Sequence, residues 1–200
     1  MTVRVMLISP AMNAASREAR FEGDAPLDEA GLRSAQDSAG DVPGADRYVR
    51  GPSERCRQTA QALGLAPRAE PTLRDWHMGR WSGQRLSDVS AAEPDAVSAW
   101  LTDPSAAPHG GESLLDLAAR VGSWLETLAG DSDVRVMAVV EPAVVRAAVV
   151  QALALPVQAF WRLDVPPLAL TELSGRSGRW NLRCGRPPEE REERGAGRSR

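Results

Sequence analysis

Two segments of this chain, Val3–Ile8 and Val134–Val140, are apolar on both faces apart from one arginine each. A strand without a polar face must be covered on both sides, which is typical of the central strands of a parallel sheet. Each segment ends in a loop that contains a proline. Ligands of such sheets bind beyond the carboxyl ends of the strands, where Pro10 and Glu141 are expected to lie.

The rest of the chain alternates between helix and strand patterns. Leu114–Leu128 is amphipathic, with apolar residues at helical spacing. The other predicted helices are Leu27–Ala35, Arg55–Leu63, Leu86–Leu101 with a break at Pro94, and Ala143–Leu153. The other predicted strands are Tyr48–Arg50, a short segment at Arg68–Glu70, Leu168–Leu173 and Arg179–Arg183. This alternation predicts an α/β fold with a mainly parallel sheet and helices on both faces.

Composition limits the classes of protein that fit. The 200 residues are 42% hydrophobic, which suits one domain with a substantial core, predicted for residues 1–184. Residues 185–200 contain no large apolar side chain, and we expect a charged, disordered tail there. A net charge of −3 gives no reason to expect a nucleic-acid partner.

The sequence also argues against a membrane or metal protein. No apolar run is long enough to span a bilayer, and the N-terminus lacks a signal pattern, so we expect a cytoplasmic protein without membrane contact. Cys56 and Cys184 are too few and too far apart for a disulfide framework or a metal knuckle. The two histidines cannot form a closed zinc site without carboxylates, and we predict neither metal nor cofactor. A homodimer is compatible with the sequence.

Four motifs follow one another in a recognisable order. They are GPSERCRQTA at 51–60, LRDWHMGRWSG at 73–83, PHGGES at 108–113 and VVEPAVVRA at 139–147. Together they make the chain resemble the histidine phosphatase superfamily, also called phosphoglycerate-mutase-like, from Val3 to about Leu182. The resemblance implies a three-layer α/β sandwich of the phosphoglycerate mutase type.

The same resemblance implies a phosphoryl-transfer site. In the family a histidine after the first strand is phosphorylated, arginines and a second histidine neutralise the phosphate, and a carboxylate protonates the leaving oxygen. Here Ser9 stands for an arginine, Pro10 for the nucleophile and Glu141 for the second histidine, while Arg55 remains and Asp75 replaces the acid. Proline has no nucleophilic atom, and a carboxylate repels phosphate. A phosphohistidine mechanism is therefore not expected.

Three functional hypotheses follow from this departure. The first is a repurposed enzyme of isomerase, cyclase, lyase or hydrolase type that acts on a non-phosphorylated metabolite, as in bacterial specialised metabolism. Glu141 and Asp75 would then be the catalytic acid and base, and Arg55 would anchor a substrate anion. The second is a catalytically dead pseudophosphatase that binds a ligand or a protein. The third, ranked last, is an active phosphatase with another nucleophile.

Aromatic and apolar side chains are expected to shape the pocket for a small organic molecule. Trp76 and Trp81 would form an aromatic wall, and Pro10 and Met12 would give an apolar floor. Core packing is the alternative for tryptophans elsewhere in the chain.

Three charged or titratable side chains carry alternative interpretations. Glu141 could instead be paired with Arg55, which would fill the pocket. His77 and His109 lie in loops that rim the expected site and could relay protons, although loop histidines are often only solvated.

Overall fold

The computed structural model describes residues 2–21, 23–129, 133–176 and 178–185. Its strands are β1 (Val3–Ile8), β2 (Arg47–Arg50), β3 (Arg68–Ala69), β4 (Arg135–Val139), β5 (Leu170–Arg176) and β6 (Arg179–Arg183). Its α-helices are α1 (Ala14–Arg17), α2 (Glu29–Asp37), α3 (Glu54–Ala62), α4 (Leu86–Ala92), α5 (Pro94–Thr102), α6 (Leu114–Ala129) and α7 (Pro142–Ala152). Short 3₁₀ turns occur at Ala39–Asp41, Pro71–Leu73, Gly79–Trp81 and Val157–Arg162.

The six strands form one mixed sheet in the order β3-β2-β4-β1-β5-β6. β3, β2, β4 and β1 are parallel, and Arg4 of β1 lies opposite Arg135 of β4. β5 is antiparallel to β1, and β6 is antiparallel to β5. The predicted α/β fold with a mainly parallel sheet is therefore confirmed, with an antiparallel pair at one edge.

Alternate side chains of the central strands enter two separate hydrophobic cores, as the two-residue period of a strand requires. Val5 and Leu7 of β1 join Leu117 and Val121 of α6 on one face. The core on the other face contains Met6 and Ile8 with Met137, Val139 and, from α3, Cys56 and Ala60. The sheet is thus covered by helices on both faces, which explains why its central strands have no polar face.

Local capping moves several element boundaries from their predicted positions. α2 begins at Glu29 and not at Leu27, because Asp28 precedes the helix and its Oδ1 accepts from the Gly31 N–H at 2.9 Å. β5 begins at Leu170 because Leu168 adopts a left-handed backbone with φ of 59°. The short helix α1 lies where only a loop was expected. The predicted tail, apart from Gly185, lies outside the described residues.

Across the described ranges, none of the helices combines the length and the apolar character needed to cross a membrane.

Candidate active site

A cavity of about 420 Å³ opens beyond the carboxyl ends of β1 and β4. This is the edge at which parallel sheets of this kind bind their ligands. Its lining residues are Pro10, Met12, Ser16, Arg55, Pro142, Arg146, Asp164, Val165, Pro166 and Pro167. The cavity therefore draws on five separate parts of the chain.

Ser9 fixes one wall of this cavity to the end of β1. It is fully buried, and its N–H donates to the Ala169 carbonyl at 3.2 Å. The Ser9 hydroxyl donates to the Pro166 carbonyl and accepts from the Ala169 N–H at 3.1 Å. The Ser9 carbonyl accepts from the Leu168 N–H at 3.1 Å. Because every polar group of Ser9 is engaged, the loop at 166–169 is held against the strand that precedes Pro10.

Arg55 reaches the cavity from the first turn of α3 and is paired with Glu141. Its Nη2 donates to Glu141 Oε2, and its Nε lies 3.4 Å from Glu141 Oε1. Its Nη1 donates to the hydroxyl of Ser16 in α1. Ser53, which caps α3 through the Cys56 N–H, also donates its hydroxyl to Glu141 Oε1 at 2.8 Å. Both charges of the ion pair are therefore satisfied by hydrogen bonds, as burial demands.

Glu141 itself lies behind Arg55 and is only 1% exposed. It directly precedes α7 and is not among the residues that line the cavity. The negative charge of Glu141 acts on the buried Cys56 thiol and not on the cavity. Burial is the larger cause and the charge of Glu141 the second cause that raise the pKa of this thiol well above its usual range. The cavity thus meets the guanidinium of Arg55 and not the carboxylate of Glu141.

A second guanidinium, that of Arg146, lines the same cavity. Arg146 follows Pro142 by four residues, so both lie on one face of α7. Its Nε donates to the Leu163 carbonyl at 2.8 Å, and its guanidinium carbon lies 5.7 Å from the Phe160 ring centroid. Burial lowers the pKa of Arg146, and the carboxylate of Asp164 opposes that shift. Arg146 stays charged at neutral pH in any case.

Trp76 and Trp81 do not form the expected aromatic wall. They are 7% and 0% exposed and pack in the core with Trp100, at centroid distances of 5.4 and 5.8 Å. Neither is among the described residues that line the cavity. The Trp76 Nε1–H donates to the Glu112 carbonyl at 2.7 Å, which fixes its ring. Large aromatic side chains gain more from burial in this cluster than from a wet rim.

The two histidines and Asp75 also lie away from the cavity lining. His109 is 1% exposed and stacks edge-on against Trp81 at 5.0 Å. His77 is exposed, and its carbonyl accepts from the Glu112 N–H at 2.8 Å. Asp75 is half-buried, and its charge contributes to the raised pKa of Cys56. Pro10, Met12 and Arg55 are the predicted site residues that the structure brings together at the cavity.

No group of three or more His, Cys, Asp or Glu side chains within the described ranges is arranged to hold a metal ion. The cavity instead combines two guanidinium groups with one carboxylate and one hydroxyl. Guanidinium groups bind carboxylates and phosphates through paired hydrogen bonds. The arrangement is suited to an anion.

A model of the histidine phosphatase superfamily (branch 1) matches residues 10–185, most of the chain. The chain belongs to this family. The superfamily assignment made from the four sequence motifs is thus confirmed.

Several curated relatives resemble part of the chain. A glucosyl-3-phosphoglycerate phosphatase of Mycobacterium tuberculosis is 43% identical over 60 residues, which are 30% of this chain and 27% of that protein. The phosphatase of the same name from Mycolicibacterium vanbaalenii is 43% identical over 70 residues, 33% of this chain and 31% of that protein. The chain therefore spans about a third or less of the curated relatives that it matches.

Solved structures of similar proteins cover nearly the whole chain. A mycobacterial glucosyl-3-phosphoglycerate phosphatase solved with VO3 has a TM-score of 0.80 at 29% identity, covering 90% of this chain and 96% of that one. A structure described as mycobacterial hydrolase 1 has a TM-score of 0.80 at 28% identity, covering 92% and 98%. A putative alpha-ribazole-5'-P phosphatase of Escherichia coli, at 21% identity, a TM-score of 0.80 and coverage of 90% and 94%, shares the fold.

These findings correct the functional prediction. An acid–base enzyme for non-phosphorylated metabolites is wrong, because several matching relatives and structures are named as phosphatases. Its alternative, a dead pseudophosphatase, is not confirmed. The family and these neighbours are enzymes, which supports an enzyme here. The prediction assumed a pocket with two carboxylates beside one arginine. In the structure Glu141 is buried behind Arg55, and Arg146 adds a second positive charge.

Three polar lining residues were not predicted from the sequence: Ser16, Arg146 and Asp164. Arg146 could have been found, because it is the single charged residue in an otherwise mostly apolar helix and stands four residues after Pro142. Ser16 and Asp164 lie in a short helix and a loop with no distinguishing pattern. Only the folded chain brings them beside Arg55 and Arg146.

Proposed function

We propose that this protein is a phosphatase that hydrolyses a phosphate monoester of a small organic molecule in the cavity beyond β1 and β4. The observation that carries the proposal is that Arg55 and Arg146 line this one cavity. Enzymatic phosphoryl transfer depends mostly on positioning and on stabilising the charge of the phosphoryl oxygens. Membership of the family and the phosphatase names of its relatives support the same conclusion.

The two guanidinium groups would divide the task of holding the phosphate. Arg55 is fixed by Glu141 and Ser16, and Arg146 by the Leu163 carbonyl. Each therefore reaches the cavity in a set orientation, which reduces the reorganisation needed when the phosphate binds. Glu141 is in this scheme a positioning residue that acts through Arg55.

The attack is assigned to water, because Pro10 has no nucleophilic atom and Glu141 lies behind Arg55. Asp164, the carboxylate that lines the cavity, accepts a proton from the water as its oxygen bonds to phosphorus. The bond between phosphorus and the ester oxygen breaks, and its electron pair stays on that oxygen. The leaving oxygen then takes the proton from Asp164. The products are an alcohol and inorganic phosphate, and Asp164 returns to its starting state.

The test is phosphate release from a panel of monoesters by the wild type and matched variants. Arg146→Gln should lower kcat/KM about a hundredfold, the usual loss when one charge-stabilising donor is removed. Asp164→Asn should lower kcat by a similar factor while KM changes little. Arg57→Gln is the control, because Arg57 is exposed on α3 and paired with Glu54.

Equal turnover by the wild type and Arg146→Gln would refute the role of this cavity. No release from any monoester above the rate without protein would refute the phosphatase itself. Binding of inorganic phosphate, measured by calorimetry, separates a site that holds phosphate without hydrolysis from a site that does not hold it. Circular dichroism of each variant shows whether it has folded.

A further inference from the structure

Apart from four polar side chains the lining of the cavity is apolar, and we call this apolar part its wall. Its residues are Pro10, Met12, Pro142, Val165, Pro166 and Pro167. Met12 is 38% exposed although it is a large apolar side chain, and Val165 is half-buried. An exposed apolar surface inside a cavity gains free energy when an apolar ligand covers it.

Four of these wall residues are prolines, which have no backbone N–H. The wall at these positions cannot donate a backbone hydrogen bond to a ligand. Recognition of a sugar or polyol depends on donors and acceptors placed against each hydroxyl, and a site without them leaves those hydroxyls unpaired. The prolines also hold the backbone rigid, so the wall is formed before a ligand binds.

Several polar groups near the wall already have partners. The Pro166 carbonyl accepts from the Ser9 hydroxyl and from the Ala169 N–H. The Leu163 carbonyl accepts from Arg146, and the Ser16 hydroxyl accepts from Arg55. The polar side chains among the described lining residues are confined to Ser16, Arg55, Arg146 and Asp164. The lining thus divides into four polar side chains and six apolar residues.

From this division we infer that the substrate is a phosphate monoester of an apolar alcohol, with an alkyl or aryl group in place of a sugar. The inference rests on the proposed function, because it takes the phosphate to lie at Arg55 and Arg146. The apolar group then lies against Met12, Val165 and the prolines. A volume of about 420 Å³ is within the usual range for a site that encloses a small organic ligand.

The test compares hexyl phosphate and phenyl phosphate with glycerol 3-phosphate and glucose 6-phosphate. We expect kcat/KM to be at least about tenfold higher for the two apolar esters, as differences of a few buried methylenes produce. Binding of hexylphosphonate and of 2,3-dihydroxypropylphosphonate, which are not hydrolysed, is measured by calorimetry. We expect hexylphosphonate to bind more tightly than 2,3-dihydroxypropylphosphonate.

Substitutions in the wall test whether its apolar side chains cause the preference for apolar esters. Met12→Gln with Val165→Thr keeps the size of both side chains and adds polar groups, so the hexyl-to-glycerol ratio should fall about fivefold or more. Leu101→Gln is the control, since Leu101 is 46% exposed on α5 outside the cavity. Its ratio should equal that of the wild type.

The outcomes separate the two proposals. Hydrolysis of glucose 6-phosphate or glycerol 3-phosphate at least as efficient as that of hexyl phosphate would overturn the apolar substrate and leave the phosphatase standing. Absence of all hydrolysis with a retained preference for hexylphosphonate would overturn the phosphatase and leave the apolar site. Equal binding of both phosphonates, or a ratio unchanged by the double substitution, would overturn the apolar site.

Discussion

Arg55 and Glu141 form an ion pair across 86 positions of sequence, with side chains only 6% and 1% exposed. The pair joins the first turn of α3 to the residue that precedes α7. Removing two charges from water is costly, and their attraction and the hydrogen bond from Ser53 offset that cost. The guanidinium of Arg55 is therefore held at the cavity by a carboxylate that the cavity does not reach.

Breaking this pair from one side should destabilise the fold. Arg55→Met leaves the carboxylate of Glu141 buried without its partner, and we expect a loss of about 3–5 kcal/mol in the free energy of unfolding. Adding Glu141→Leu removes the uncompensated charge and should recover most of that loss. Urea unfolding of the two single variants and the double variant measures the coupling. If the loss of unfolding free energy in the double variant equals the sum of the two single losses, the two residues are not coupled and the prediction is wrong.

His109 should make stability depend on pH. Burial lowers its pKa below the ordinary value of 6.5, and the charges of Arg80 and His77 add to the shift. Between the folded pKa and 6.5, the unfolded chain binds more protons than the folded one, so stability decreases as pH falls through this window. The measurement is the free energy of unfolding from pH 8 to pH 5.

His109→Asn is the matched variant for this prediction. Its side-chain oxygen can replace Nδ1 of His109, which accepts from the Gly111 N–H at 3.0 Å, and it does not titrate. The variant should show a shallower decline below pH 6.5 than the wild type, whatever its stability at pH 8. Identical slopes would show that His109 does not contribute.

The two cysteines should differ sharply in reactivity. Cys56 is buried, and burial together with Glu141 and Asp75 raises its pKa, so little thiolate forms. Cys184 is exposed. A thiol reagent such as dithionitrobenzoate at pH 8 should label Cys184 in the folded protein and Cys56 only after unfolding in urea. Rapid labelling of the Cys184→Ser variant without urea would contradict the burial of Cys56.

Gly111 should not tolerate a side chain. A Cβ atom there would lie 1.9 Å from the His77 carbonyl oxygen and 2.7 Å from the Gly79 nitrogen, and both are backbone atoms that cannot simply rotate away. We expect Gly111→Ala to lower the free energy of unfolding by about 2 kcal/mol or more. Gly40→Ala is the control, because its Cβ would meet no atom within 4 Å. Equal free energies of unfolding for the two variants would show that the backbone at Gly111 is not packed closely against His77 and Gly79.

The burial of the central strands could be predicted from the sequence, whereas the direction of β5 could not. Val5 and Leu7 alternate with Met6 and Ile8 between two cores, and this double burial is what the apolar pattern of β1 indicates. The antiparallel direction of β5 was not predictable, because a strand pattern has no direction until its partner is known. Capping by Asp28 likewise decides a helix start that apolar spacing alone leaves open.

The candidate site was less predictable than the fold. Arg55 and Pro10 follow from motifs, but the orientation of Glu141 depends on which charged group lies nearest in space. The same limit applies to Trp81, whose loop position suggested a pocket rim although its side chain is fully buried. Charge and apolarity of a residue type are visible in a sequence, whereas the direction in which a side chain points is fixed by its neighbours.

The hydrogen bonds between Ser9 and Ala169 connect positions 160 apart, and β1 also depends on β5 for one of its edges. Synthesis proceeds from the N-terminus, so β1 emerges long before the strand that completes it. A nascent chain halted before Leu170 would carry every charged group of the cavity, yet one side of β1 would still be open to pairing with other chains. Because these contacts join residues far apart in sequence, we expect the site to assemble late in folding.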